Sequence, residues 1–230
     1  MADHRGGGRG GVIVDRIALA LARRRRRRTR RRTHAKLALQ AQHAFFATLL
    51  EVGPEDVLID CGANVGAYAR HMARSGARTH CFEPDPLAFA TLAAHLGDAA
   101  NVTLHAAAVG ARAGEATLRR RSDFANDPLR LTQGSSLVAA LEGEAMTVEV
   151  VDLAAFIAAL PRPPAILKLD VEGAEVEILE ALDASGVLGE IGAVFVETHD
   201  WLYPELADRT LALVERVARR PYANVNLNWV

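Results

Sequence analysis

Lysine is almost missing from this chain. Lys36 and Lys168 are the only two among 27 cationic residues, so its basic character comes from arginine. Cysteine is as scarce. Cys61 and Cys81, each at the end of a predicted strand, are too few for a disulfide scaffold and suit a reducing compartment. No apolar run approaches the roughly 20 residues that cross a bilayer. The stretch Val12 to Ala22 is broken by Asp15 and Arg16, has no small-residue cleavage site, and precedes its arginine cluster instead of following it. These absences argue against a membrane span and a secretion signal, and the expected location is cytoplasmic. No Gly-Lys-Ser or Gly-Lys-Thr occurs, which excludes a P-loop.

What is present is 230 residues, half of them hydrophobic, enough for one well-buried α/β domain with appendages. The net charge of −1 hides a split. Residues 1–36 carry 13 positive and 2 negative charges, or +11; the other 194 carry 14 and 26, or −12. Residues 1–34 read as a basic, disordered tail and 35–230 as the folded domain. Within the tail, Arg23 to Arg32 is nearly pure arginine, a feature that suits nucleic acid or anionic lipid. It has no interleaved aromatics for base stacking, and the scarcity of lysine points to a compositional bias, so a solvated tail is the favoured reading.

Residues Val57 to Gly66, Val-Leu-Ile-Asp-Cys-Gly-Ala-Asn-Val-Gly, carry the most information. An apolar strand runs into a glycine-punctuated turn, and Tyr68 to Ala77 can form the helix that follows. A second strand, Arg78 to Phe82, ends at the acid Glu83. This order is how an α/β sheet holds a nucleoside, the acid accepting hydrogen bonds from the ribose hydroxyls. The turn reads Asp-x-Gly-x-x-x-Gly, not the Gly-x-Gly-x-x-Gly of dinucleotide sites. Its leading acid, Asp60, would repel a pyrophosphate but suits a ligand with an ammonium and a sulfonium, as in S-adenosylmethionine (SAM). The expected cofactor contacts are Asp60, Gly62, Asn64, Gly66 and Glu83; an ordinary strand-turn-helix is the plain alternative.

Strand and helix signals alternate along the chain. A helix over Ala35 to Glu51 stops at Gly53-Pro54; further helices are expected from Pro86 to Leu96, Asp152 to Leu160, Gly173 to Leu182 and Glu205 to Arg219. Strands are expected at Val102–Ala107, Ala165–Leu169 and Ala193–Val196, with an extended piece at Tyr222–Trp229. Glu115–Arg119 and Thr147–Val151 read as paired β-segments around an irregular polar region. Such alternation predicts a Rossmann-like, mostly parallel sheet with helices on both faces.

The residues Asp60-Cys-Gly-Ala-Asn-Val-Gly66, Phe82-Glu83-Pro84, Ala108-Val109-Gly110, Gly134-Ser135-Ser136-Leu137, Lys168-Leu-Asp-Val-Glu-Gly-Ala-Glu175 and Val196-Glu-Thr-His199 together resemble the FkbM-type family of SAM-dependent methyltransferases. The likeness runs in consistent order from about Gly53 to Asp200, and the Lys-x-Asp-Val-Glu-Gly-x-Glu run is its specific part. It implies a seven-stranded class I methyltransferase sheet and methylation of an oxygen on a small molecule or saccharide. The chain departs from expectation at His105-Ala-Ala-Ala-Val109, where many class I enzymes carry a polar residue for the adenine. The usual last two-strand hairpin is also hard to place. A catalytically idle SAM- or nucleoside-binding module is a different class of answer, and a nucleic-acid methyltransferase a third. The absence of an Asn/Asp-Pro-Pro-Tyr/Phe run and the acidic domain both weigh against the third.

Methyl transfer to oxygen needs alignment, desolvation and removal of a proton, hence a base or a metal. Lys168, Asp170 and Glu172 alternate with apolar residues and point to one side if extended; Glu197, His199 and Asp200 end the next strand. Asp170 is the expected base, Lys168 its charge partner, and Glu172 and His199 orient the hydroxyl or move its proton. A buried ion-pair network is the alternative. Asp170 with Glu197 or Asp200 offers hard oxygens to a divalent cation, but carboxylate pairs at strand ends are common without one, and a metal is not favoured.

Overall fold

A computed structural model describes residues 35–120, 122–123, 126–127, 132, 135–136, 142–199, 207–219 and 224–229. The arginine tract 23–32, Gly134, Leu137 and Asp200 lie outside the described residues. The chain divides into two compact units, Met1–Gln40 and Ala41–Val230. Of the first, only residues 35–40 are described, and they are helical.

The second unit opens with helical residues 41–50, here α1. There follow β1 (Val57–Cys61), α2 (Ala69–Arg74), β2 (Arg78–Phe82), α3 (Pro86–Leu96), β3 (Val102–His105), β4 (Ala108–Gly110), β5 (Gly114–Arg119) and β6 (Ala145–Asp152). Then come α4 (Leu153–Ala158), β7 (Ile166–Leu169), α5 (Glu175–Ala184), β8 (Ala193–Val196), α6 (Ala207–Arg219) and β9 (Val225–Asn226). The main sheet runs β3-β2-β1-β7-β8-β9, and every pairing in it is parallel. Every residue of β1 and β7 is buried, as expected of parallel strands covered on both faces.

One face packs Ile59, Leu167, Leu169, Val194 and Val196 against Leu153 and Ile157 of α4, Ile178 and Leu179 of α5 and Leu213 of α6. The other packs Leu58, Ile166 and Phe195 against Ala41 and Phe45 of α1 and Met72 of α2. Helices therefore cover both faces. No helix among the described residues is long and apolar enough to cross a membrane.

The periodicity-based boundaries hold best where a chemical stop is present. Asp85 caps α3, its carboxylate accepting from the Leu87 and Ala88 amides with Pro86 in the first turn, and the helix starts where proline predicts. Asp152 likewise caps α4 through the Ala155 amide. One expectation needs correction. Val102 to Ala107 is not one strand: β3 stops at His105, and Ala108–Gly110 leaves to pair with β6. With β5, which pairs antiparallel to β6, it makes a separate three-stranded sheet. Among the described residues the main sheet holds six strands, where the resemblance implies seven. The described residues of the final extended piece supply β9, parallel to β8.

The strand order gives the fold its working end. From β1 the chain moves to β2 and β3 on one side, while β7 and β8 line up on the other. Order reverses between β1 and β7, so the connections beyond Cys61 and Leu169 diverge and leave a crevice at the carboxyl edge of the sheet.

Candidate functional site

Four strand ends converge on that crevice, and the turn after β1 is built most tightly. The Gly62 and Ala63 amides both donate to the Phe82 carbonyl at 3.0 Å, which folds the turn onto the end of β2. Gly62 has φ +75°, and a Cβ there would stand 1.8 Å from the Asp170 carbonyl oxygen, so only glycine lets the β1 and β7 connections touch. Gly66, at φ +89°, admits α3 in the same way: a Cβ would lie 2.9 Å from Leu92 Cδ1. Asn64 is also left-handed, at φ 49°, which its short polar side chain tolerates.

Glu83 fastens this turn to the start of α3. Its Oε2 accepts from the Asn64 amide and its Oε1 from the Asp85 amide, both at 2.8 Å. Each oxygen keeps a second lone pair for a ligand hydroxyl. The group is 5% exposed. Burial pushes its pKa up to about 7, the two amide donors opposing this in part.

Asp60, the last acid before the turn, is fully buried and faces Lys168 because the parallel register sets those two residues side by side. Lys168 Nζ lies 3.1 Å from Asp60 Oδ1 and 3.4 Å from Asp170 Oδ2, and donates to the Gly62 carbonyl at 3.3 Å. It also stands 5.8 Å from the centre of the Tyr68 ring. Burial alone would favour the neutral amine, but Asp60 and Asp170 outweigh it and hold the lysine charged. Burial raises the pKa of Asp60, against the pull of Lys168. The Lys168 ammonium engages Asp60 Oδ1, whereas the buried Oδ2 has no hydrogen-bond partner among the described residues. An orphaned acceptor at the head of a glycine turn suits a ligand that brings an N–H donor.

The chain beyond β7 departs from the extended path that would carry Lys168, Asp170 and Glu172 to one side. It turns sharply, with Glu172 at φ 57° and Gly173 at φ 117°. Glu175, at the start of α5, braces the turn by accepting from the Val171 amide at 3.0 Å and the Gly173 amide at 3.0 and 3.1 Å. Ser136 Oγ holds it from outside by donating to the Glu172 carbonyl at 2.7 Å. Glu172 still reaches the same group as Asp170, by way of the turn.

His199, following β8, is the hub of that group. Its Nδ1 lies 2.8 Å from Glu175 Oε1. Because the Glu175 carboxylate is an acceptor, Nδ1 carries the proton, which fixes the ring and aims Nε2 into the crevice. Around Nε2 stand Glu172 Oε2 at 3.5 Å, Glu197 Oε1 at 3.7 Å and Asp170 Oδ1 at 4.0 Å. Burial works against a charged imidazole, but the Glu175 hydrogen bond and the charges of Glu172 and Glu197 overcome it and raise its pKa to about 9. Burial and the other acids push Glu172 up to about 8; burial and Asp170 push Glu197 up to about 7.

Every cofactor or catalytic residue singled out from sequence thus lies at the carboxyl ends of β1, β2, β7 and β8. Sequence reasoning missed two fasteners. Arg120 grips Asp85 with two hydrogen bonds, at 2.9 and 2.8 Å, and Glu144 with a third at 2.6 Å. Thr132 Oγ1 accepts from Asn64 Nδ2 at 2.9 Å, linking the polar segment to the glycine turn. Neither residue sits in a periodic pattern or a recognisable motif, so no local signal marks it.

A parallel sheet with a strand-order reversal, a glycine turn after β1 and an acid after β2 defines the class I methyltransferase fold. Residues 60–220 match the family model described as the methyltransferase FkbM domain, and the chain belongs to that family. It is similar to the hexuronic acid methyltransferase AglP of Haloferax volcanii, with 27% identity over 177 residues, 76% of this chain and 69% of that protein. Solved structures with a likeness to it include an rRNA methylase from Streptococcus thermophilus, at 13% identity over 76% of this chain and 77% of that one, TM-score 0.43. Another is a precorrin-6y C5,15-methyltransferase from Geobacter metallireducens GS-15, at 16% identity over 74% of this chain and 67% of that one, TM-score 0.39.

Proposed function

We propose that this methyltransferase uses SAM to methylate a hydroxyl oxygen, and that the acceptor is a saccharide or similar small molecule. The observation behind this reading is the polar group Asp170, Glu172, Glu197 and His199, gathered beside the glycine turn on the edge that carries Glu83 and Asp60. SAM supplies an electrophilic methyl group on a sulfonium sulfur. Asp60 would hold its ammonium, which answers the orphaned Oδ2, and Glu83 its ribose hydroxyls through the remaining lone pairs. Gly62, Asn64 and Gly66 shape the turn against which the cofactor lies.

An attacking hydroxyl must lie in line with the methyl–sulfur bond and must lose its proton. Asp170 and Glu172 flank the place where such a hydroxyl would enter, and the Asp170 carboxylate accepts from it. His199, its ring fixed by Glu175, orients those acids. Lys168 ties the two halves together, since it contacts the cofactor acid Asp60 and the acceptor acid Asp170 at once. The saccharide assignment draws on AglP, named as acting on a hexuronic acid.

The test is incubation of the full chain with isotope-labelled SAM and a panel of neutral and uronic-acid saccharides, with mass detection of a methyl ether. Transfer to nitrogen, or to nucleic acid in preference to any saccharide, would overturn the reading. So would SAM binding without transfer to any acceptor in a crude metabolite extract, which marks an idle binding module.

A further inference from the structure

We propose that Asp170, Glu172 and His199 form a binding site for one divalent cation of the Mn2+ type, with Glu197 beside it and Glu175 as the partner that orients the imidazole. This goes beyond the methyl-transfer reading but rests on it for purpose, since the cation would sit where the acceptor hydroxyl is expected.

Three observations carry it. The first is spacing. One donor atom each from Asp170, Glu172 and His199 lies within 4.8 Å of the others. The distances from His199 Nε2 to its carboxylate neighbours, 3.5 to 4.0 Å, are too long for good hydrogen bonds. Donor atoms bound to a common divalent ion at about 2.1–2.3 Å stand roughly 3–4.5 Å apart, and these fit that range.

The second is the histidine itself. His199 is 3% exposed, yet its Nε2 makes no hydrogen bond among the described residues. An imidazolium left to itself would draw one acid into contact; here three acids surround the nitrogen and none has closed on it. Its other nitrogen donates to Glu175, the carboxylate–histidine arrangement that fixes a metal-binding tautomer and strengthens the free nitrogen as a ligand. Asp170 is divided in the same sense, with Oδ2 toward Lys168 and Oδ1 toward His199.

The third is charge. Among the described residues, Asp60, Asp170, Glu172, Glu175 and Glu197 meet only Lys168 and His199 in this group, and Lys168 is already shared between Asp60 and Asp170. Asp60 and Glu175 are buried and the other three half-buried, and acids gathered so closely are relieved by a resident cation as they are by protonation. A single imidazole with two or three carboxylate oxygens suits Mn2+ better than Ca2+ or Mg2+, which prefer oxygen alone. Bound there, the ion would take the acceptor hydroxyl as a further ligand and acidify it.

The experiment is titration of the metal-free full chain with MnCl2, followed by calorimetry and electron paramagnetic resonance. Saturable binding of one Mn2+ per chain is expected, with nitrogen coupling from one imidazole. Glu172→Gln and Asp170→Asn, at half-buried positions that tolerate an isosteric amide, should each weaken binding at least tenfold. Glu175→Gln should do so by about tenfold through the histidine. Absence of saturable binding up to millimolar Mn2+, absence of nitrogen coupling, or binding that the Asp170 and Glu172 variants leave unchanged would each overturn the proposal. SAM affinity measured on the same samples separates the two readings. A Mn2+ site in a protein that ignores SAM supports this site and sinks methyl transfer. Full transfer in the presence of a chelator, without a Mn2+ site, sinks this proposal alone.

Discussion

Replacing Glu83 with glutamine is the sharpest perturbation of the cofactor half of the site. The carboxylate has two duties: it accepts one backbone N–H on each oxygen, and it has a lone pair on each for a ribose hydroxyl. Glutamine keeps one acceptor oxygen and turns an NH2 donor toward a backbone donor, which leaves one buried N–H unpaired. That costs about 1–3 kcal/mol of stability, or a fall of roughly 2–10 °C in melting temperature for a domain of this size. A lost hydrogen bond to a charged group costs about 1.5–3 kcal/mol in binding, so SAM affinity should fall about 10- to 100-fold.

The pH dependence is more diagnostic still. With the Glu83 pKa at about 7, roughly a tenth of the protein carries the charged form at pH 6 and nine-tenths at pH 8. A ligand that donates hydrogen bonds to the carboxylate should therefore gain about tenfold in affinity across that interval in the wild type, and not in Glu83→Gln. Stability runs the other way. A carboxyl whose pKa is raised by folding favours the folded state below its unfolded value of 4.5, and that contribution is lost as pH rises through about 7. The loss is about 3 kcal/mol at most, and glutamine should remove this slope. Calorimetric titration of SAM at several pH values, with thermal melts of the same samples, measures both. Unchanged affinity in a folded Glu83→Gln, or equal pH slopes in the two proteins, would refute the ribose assignment.

Gly62→Ala should be among the most damaging single-methyl changes in the chain. Its Cβ would stand 1.8 Å from the Asp170 carbonyl at a positive φ, so thermal melts should show a loss above about 3 kcal/mol or no folded protein. Asp170→Asn is expected to lower turnover about 10²- to 10⁴-fold while calorimetry shows SAM affinity within a few-fold of wild type; loss of SAM binding would place Asp170 in the cofactor site. Deleting residues 1–32 should leave SAM affinity and melting temperature nearly unchanged, because that segment offers no periodic apolar face for a core. A truncated protein that fails to fold would show the tail to be structural.

The amino-acid sequence by itself was sufficient for the order of the main-sheet strands and their helices, the glycine turn, the acid after β2 and the polar run that begins in β7. These are local signals. Apolar runs, capping residues such as Asp85 and Asp152, and the Gly62 and Gly66 stops act within a few residues of themselves and are legible one window at a time. The β5–β6 pairing was legible, but the departure of β4 to join it was not, because which strand a short apolar segment joins depends on partners distant in sequence. The same holds for the site. Asp60 meets Lys168 through the β1–β7 register, over a hundred residues apart, and no spacing rule announces it. The alternation of Lys168, Asp170 and Glu172 suggested a common side, yet Glu172 arrives there through a left-handed turn that Glu175 and Ser136 hold in place. His199 was a candidate from its place after the fifth-strand segment, but only tertiary packing buried it against Glu175 and set three further acids around its other nitrogen. Burial, register and that convergence are properties of the folded chain, and they turn residues with plausible chemistry into one site.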